Sequence, residues 1–314
     1  MIRIEIAILY RSIKMNRKIV YLINPISGTG DKKSLIRKIE EKTRSQNIPF
    51  EILPTDPNGN YLYLKEKISR EQVTDVVVCG GDGTVNQVAR SLLHEDIRIG
   101  IIPMGSGNGL ALTAKIPRQP DRALSVVLNG KAAYIDSFFI NDHFSCMLCG
   151  LGFDAQVAHD FARQSKRGLY TYMVQTVSNF MRMRAWSFEL VSESHSFVVP
   201  GYFISIANSN QFGNQFTIAP RAKLNDGLLD IVVVKKMSKW RFIGAVLRQL
   251  LVGKPFQPGQ PDIEKRKVLY FQTDELIIHN NDNAPLHIDG DPSPSSKLFK
   301  IKLIRDAFKL IQPQ

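Results

Sequence analysis

The chain has 314 residues, 44% of them apolar and 22% charged, which suits one large or two medium soluble domains with a packed core. Its 41 Lys and Arg against 29 Asp and Glu leave a net charge of +12, favouring polyanionic partners such as nucleic acid, phosphorylated ligands or an anionic membrane surface. Three cysteines (Cys79, Cys146, Cys149), each within an apolar run, argue against a disulfide scaffold and fit a reducing cytoplasm, and no run reaches the ~18–20 apolar residues of a membrane span.

Residues 1–14 read as an extension outside the core fold, because Arg3 and Glu5 interrupt their apolar character and Met15 opens a strand-like run. From there to about 135, strand and helix patterns alternate. KIVYLIN (18–24) is followed by a helix-period stretch over 32–46 that Asp31 caps. FEILP (50–54) is the next strand, NYLYLKEKIS (60–69) a helix and DVVVC (75–79) a strand. TVNQVARSLLH (84–94), IRIGIIP (97–103) and a helix around 109–115 complete the series. Near-continuous apolar strands alternating with helices predict a parallel sheet covered on both faces.

The pattern changes near 130–136. The runs YIDSFFIN, FSCMLCGLGF, WSFELVSE, SFVVPGYFISIAN, LLDIVVVKK, KVLYFQ and ELIIHN predict an antiparallel sandwich, interrupted by helical stretches over 153–184 and 239–251. The stretches 253–261 and 280–296, rich in Pro, Gly and Asn, read as loops. The fold expected is thus an α/β nucleotide-binding domain over 15–135, rejoined by about 298–314, and a β-rich antiparallel sandwich over 136–297.

Three glycine turns carry the chemistry. In GGDGT (Gly80 to Thr84), glycines let backbone approach phosphate, and the following helix offers N–H groups and its dipole. Asp82 places a carboxylate among those phosphates, which makes sense only with Mg²⁺ between them. A tight strand–helix turn is the plainer alternative. GSGNGLA (Gly105 to Ala111) imitates a dinucleotide fingerprint, but it follows the fourth strand and no acidic residue closes the next one. NPISGTG (Asn24 to Gly30) follows the first strand and lacks the Gly-Lys-Ser/Thr of a P-loop. This last turn alone is weak; the three together, at the carboxyl ends of strands in one sheet, mark a ligand crevice.

In this order, NPISG, GGDGTVNQV and PMGSGNGLA resemble the diacylglycerol kinase catalytic family, which includes bacterial lipid kinases and sphingosine kinases. The likeness continues through IDSFFIN, GLGFDAQV, KLNDGLLDI and LHIDGDP and spans roughly residues 16–305. It implies ATP contacts from Asn24, Ser27, Thr55, Gly80, Gly81, Asp82, Gly83, Thr84, Val85, Asn86 and Ser106. It implies that Asp82 and Asp136 organise catalytic Mg²⁺, largely through water. A structural metal would sit on Asp226 with the carbonyls of Lys223 and Leu228, and Asp289 would be the general base with Asp291 nearby. One departure is Gly109, where the bacterial diacylglycerol kinases usually carry Asp.

An alcohol has too high a pKa to react unaided, so a carboxylate at the acceptor hydroxyl is chemically apt. Asp226-Gly227 and Asp289-Gly290 can equally be hairpin turns. Cys146 and Cys149 read as packing rather than a redox pair, and RQSKRG (163–168) as a solvated helix end or a lipid-headgroup contact. The expectation is an ATP- and Mg²⁺-dependent kinase of a lipid alcohol, cytoplasmic and peripheral to the inner membrane face. Its partners would be the lipid and, transiently, the membrane surface, with a homodimer allowed and no nucleic acid. The alternatives are a kinase of NAD or another soluble alcohol, and a non-catalytic nucleotide- or lipid-binding module.

Overall fold

The computed structural model describes residues 17–28, 31–164, 169–193, 196–211, 218–238 and 267–314. The extension 1–14, Gly30, the basic run 165–168 and the stretches 239–251 and 253–261 lie outside them. In chain order the elements begin with β1 (Ile19–Ile23), α1 (Lys32–Ser45), β2 (Phe50–Pro54), α2 (Tyr63–Glu71), β3 (Asp75–Gly80) and α3 (Asp82–Ser91). Next come β4 (Arg98–Pro103), α4 (Gly109–Thr113), α5 (Pro120–Asn129), β5 (Lys131–Ile140), β6 (His143–Ser145), β7 (Leu148–Gly152), α6 (Phe153–Ala162) and α7 (Leu169–Met181). The remainder is β-rich: β8 (Trp186–Val191), β9 (Ser196–Ala207), β10 (Leu229–Lys235), β11 (Val268–Thr273) and β12 (Glu275–Asn280). The hairpin β13 (Leu286–Ile288) and β14 (Asp291–Ser293) precedes the long β15 (Leu298–Gln312). Contacts divide the chain into two compact units, one running to Ile135 and including Asp306–Gln314, the other Asp136–Arg305.

In the first unit a parallel sheet runs in the order β2-β1-β3-β4, with the end of β15 beside β4. Every residue of β1 and β3 is buried, as the continuous apolar runs require. Asp31 caps α1 by accepting from the Lys33 N–H at 2.9 Å, and Leu35, Ile39 and Thr43, four residues apart, turn one face inward. Helix α2 starts and ends later than the sequence suggests, closed by left-handed Gln72. Helix α5 was not anticipated, although Pro120 in its first turn is a start signal; it buries Ala123, Leu124, Val127 and Leu128.

At the amino end of this sheet the fully buried Asp75 carboxylate accepts from Arg17 at 2.8 Å, Arg98 at 2.6 Å and Thr74 Oγ1 at 2.5 Å. Arg17 also donates to the carbonyls of Leu128 at 2.8 Å and Val127 at 3.1 Å, tying α5 to the sheet. Asp75→Ala would strand the buried Arg17 guanidinium, and a loss of about 3–5 kcal/mol is expected in denaturant unfolding. A loss under ~1 kcal/mol, the scale of an exposed ion pair, would show that this network does not anchor the unit.

The second unit is antiparallel and continues from β13 through β7, β9, β8 and β12 to the start of β15. Strand β9 changes partners midway: Ser196–Gly201 pairs with β8, whereas Phe203–Ala207 lies between β7 and β10. The helical stretch expected over 153–184 is two helices, and the loop expected over 280–296 contains the β13–β14 hairpin. The run FSCMLCGLGF is also broken, at Cys146–Met147, because the Met147 and Leu148 N–H groups turn to the Asp289 carboxylate. β15 passes from one unit into the other at Asp306, which is left-handed at φ 51°.

Candidate active site

In the first unit the three glycine turns follow β1, β3 and β4, at the carboxyl ends of parallel strands. They are bonded to one another. Asn24 Nδ2 donates to Thr84 Oγ1 at 3.0 Å, joining the first turn to the second, while Asn24 Oδ1 accepts from the Ile26 N–H at 3.0 Å. Ser27 Oγ donates to the Asn24 carbonyl at 3.3 Å, and the Thr55 N–H, at the end of β2, donates to the Ile23 carbonyl at 3.1 Å.

The second and third turns meet backbone to backbone. A Cβ on Gly105 would stand 2.6 Å from the Gly81 Cα and 3.0 Å from Asn108 Oδ1, so neither glycine can carry a side chain without a shift of main chain. Asn108, left-handed at φ 55°, locks the third turn by accepting from the Gly105 N–H at 2.9 Å and donating to the Gly105 carbonyl at 2.6 Å. Gly81 is the N-cap of α3 and brings no side chain to it, and helix geometry leaves the Gly83 and Thr84 N–H groups without an intrahelical acceptor. The helix dipole at that end favours anions. Gly80 leads into this cap, and half-buried Asn86 follows in α3; Ser106 is exposed in the third turn. Val85 contributes only backbone here: its side chain is buried and its N–H donates to the Gly81 carbonyl at 3.1 Å.

Asp82 occupies the first turn of α3, and its Oδ2 accepts from the Gly109 N–H at 3.1 Å. Position 109 thus orients the carboxylate through its backbone, a role that needs no side chain. Among the described residues no three His, Cys, Asp or Glu side chains gather as a metal cluster.

In the second unit, Asp136 is buried and held by the 224–228 loop: its N–H donates to the Leu224 carbonyl at 2.6 Å, and its Oδ2 accepts from the Gly227 N–H at 2.8 Å. Asn208 Nδ2 donates to the Asp136 carbonyl at 2.7 Å. Asp226 is exposed, and its Oδ1 accepts from the Leu228 N–H at 3.3 Å in an Asx-type turn rather than a strand hairpin. Lys223 and Leu228, which the resemblance pairs with Asp226 as a cation site, lie in the same loop. Four residues after Asp226, burial pushes the Asp230 carboxyl up to about 6, and the Tyr270 hydroxyl donates to it.

Asp289 stands at the tip of the β13–β14 hairpin, where Ile288 faces Asp291 across a two-residue turn. Both turn residues are left-handed, Asp289 at φ 51° and Gly290 at φ 89°, the type I′ geometry that an Asp-Gly pair suits. The hairpin alternative was therefore correct about the turn. Such a tip is ordinarily solvated, yet Asp289 is only 9% exposed. Its Oδ1 accepts from Ser145 Oγ at 2.6 Å, Leu148 N–H at 3.0 Å and Met147 N–H at 3.3 Å. Asp291, next in the chain, is exposed.

Two neighbours escaped the sequence reading. His287 Nε2 lies 3.3 Å from Asp154 Oδ2, and both side chains are buried. The histidines showed no ligand spacing, and the pair is 133 residues apart in sequence, beyond the reach of any local pattern. The nearest signals were His287 two residues before Asp289 and Gly150 four before Asp154.

A family model described as diacylglycerol kinase catalytic domain matches residues 18–140, and one described as YegS C-terminal NAD kinase beta sandwich-like domain matches residues 148–304. The "Probable lipid kinase YegS-like" protein of Chromohalobacter salexigens is 26% identical over 292 residues, covering 89% of each chain. The diacylglycerol kinase of Bacillus subtilis is 24% identical over 279 residues, covering 87% of this chain and 89% of that one. A crystal structure of a diacylglycerol kinase from Bacillus anthracis superposes with a TM-score of 0.73 at 18% identity, over 94% of this chain and 97% of the other, a likeness of fold.

Proposed function

We propose that this lipid kinase, which belongs to the diacylglycerol kinase family, transfers the γ-phosphoryl group of ATP to the hydroxyl of a diacylglycerol or sphingoid-type lipid. The observation that carries the reading is the backbone cradle in which Gly81 and Gly105 meet over the start of α3. Its N–H groups and dipole bind the phosphates, Asn24, Ser27, Thr55 and Ser106 position the nucleotide, and the bonds among the turns keep the cradle rigid. Asp82 and, in the second unit, Asp136 are the residues that would hold Mg²⁺, largely through water, and the ion would supply charge neutralisation for the transferred phosphoryl group. Asp289 takes the proton of the lipid hydroxyl as the new P–O bond forms and the bond to ADP breaks. The loop carrying Lys223, Asp226 and Leu228 would hold a structural cation, and through the Gly227 N–H it positions Asp136.

Access to such a substrate requires contact with a membrane. Among the described residues no helix is long and apolar enough to cross one. Helix α7 exposes Val174 (44%) and Val177 (65%), and the exposed Arg182 and Arg184 follow it. We assign this apolar and basic surface to transient docking on the inner face of an anionic membrane, where each basic residue contributes about 1 kcal/mol.

Incubation with γ-labelled ATP, Mg²⁺ and micelles of single lipid alcohols tests the reading. Label is expected in the organic phase for at least one lipid. Label appearing instead on NAD or another water-soluble alcohol, or on no acceptor at all, would overturn it.

A further inference from the structure

The Asp154–His287 pair has no part in the chemistry above, yet it is built with care. Asp154 lies in the first turn of α6, where its Oδ1 accepts from the Ala155 N–H at 2.8 Å, leaving Oδ2 toward His287. His287 is fully buried on β13. Across the sheet its partner is Gly150 of β7, and the missing side chain there is what lets the pair meet. A Cβ on Gly150 would lie 2.0 Å from Asp154 Oδ2 and 2.3 Å from His287 Nε2. The other ring nitrogen, Nδ1, accepts from the Gly290 N–H at 3.3 Å. An Nδ1 that accepts must be unprotonated, so the ring proton sits on Nε2 and is directed at Asp154.

We propose that Asp154 and His287 are positioning residues for Asp289: through the Gly290 N–H they clamp the hairpin tip with its carboxylate turned inward. The proposal rests on the reading of Asp289 as the base. Gly290 is the second residue of the turn and carries no side chain, so the bond from its N–H to His287 Nδ1 is a contact that fixes the Asp289–Gly290 peptide. Rotation of that peptide swings Asp289 off Ser145 and toward solvent, the ordinary place for such a tip. The chain Asp154–His287–Gly290 opposes this, in the manner of a carboxylate that fixes the ring and tautomer of a functional histidine.

Two substitutions of His287 separate the two ends of the ring. In His287→Asn the amide oxygen takes the place of Nδ1 and can still accept from Gly290. In His287→Gln the amide nitrogen takes the place of Nε2 and can still donate to Asp154, but the grip on Gly290 is lost. The Gln variant is expected to lose about 10²-fold in kcat with KM for ATP unchanged, and the Asn variant at least tenfold less. Equal losses in the two, tracking their melting temperatures, would reduce the pair to a packing element and overturn the proposal. A second readout needs no turnover: ring ¹⁵N spectra of the wild type should show Nδ1 unprotonated, and Gly290 amide exchange should be slow in wild type and Asn variant but fast in the Gln variant. A proton on Nδ1, or equal exchange in all three, would also sink it. If the wild type phosphorylates no lipid, the function proposed above fails, and the ring and exchange data still decide whether the clamp exists.

Discussion

Asp289→Asn is expected to lower kcat by about 10²–10⁴-fold, the usual contribution of a positioned general base, while KM for ATP stays within a small factor. The reason lies in what the substitution preserves. The amide oxygen of Asn can keep the donors that now converge on Oδ1, from Ser145, Met147 and Leu148. The hairpin and its inward turn therefore survive, and only the capacity to take a proton is removed. A melting temperature near that of wild type with the rate loss would assign the defect to chemistry. Full activity in the Asn variant would remove Asp289 from the reaction and send the search to another acceptor.

Gly105→Ala is expected to cost about 10²-fold in kcat/KM for ATP, the scale of a 1 Å misplacement of binding groups. The added methyl would stand 2.6 Å from backbone, the Gly81 Cα, and 3.0 Å from the Asn108 side-chain oxygen Oδ1. Gly81 is tied to β3 and α3, and Asn108 is held by two bonds to Gly105 itself, so relief requires the turns to part. Parting them spreads the N–H groups that the phosphates need. Ser106→Ala, one residue on and exposed, removes at most one hydrogen bond and should cost no more than about tenfold. Titration with a fluorescent ATP analogue would separate the two. Equal affinities for wild type and Gly105→Ala would mean that phosphate is not bound where Gly81 and Gly105 meet.

Much of the architecture was written locally. The apolar runs at 18–24 and 75–79 could only be strands covered on both faces, and the turns after β1, β3 and β4 announced themselves by glycine, which alone permits backbone to touch backbone. The family motifs were legible for the same reason, since each lies within about ten residues. Boundaries were softer where caps were atypical: α2 closes on a left-handed Gln, and α5 was passed over despite Pro120.

What the chain could not show locally is which way groups face and what they meet. Val85 belongs to the glycine motif but buries its side chain in the core, because α3 turns that face to the sheet. Asp226-Gly227 and Asp289-Gly290 read alike as Asp-Gly turns, yet one is an exposed Asx turn and the other a hairpin tip driven inward. That difference is made by Ser145, Met147 and Leu148, some 140 residues before Asp289. Sequence alone therefore determined most strand and helix types and the glycine turns, since these rest on short-range sterics and periodicity, and the short motifs sufficed for the family resemblance. Only the tertiary structure decided the burial of Asp289 and its link to Asp154 and His287, since those depend on side chains that meet after long loops have closed.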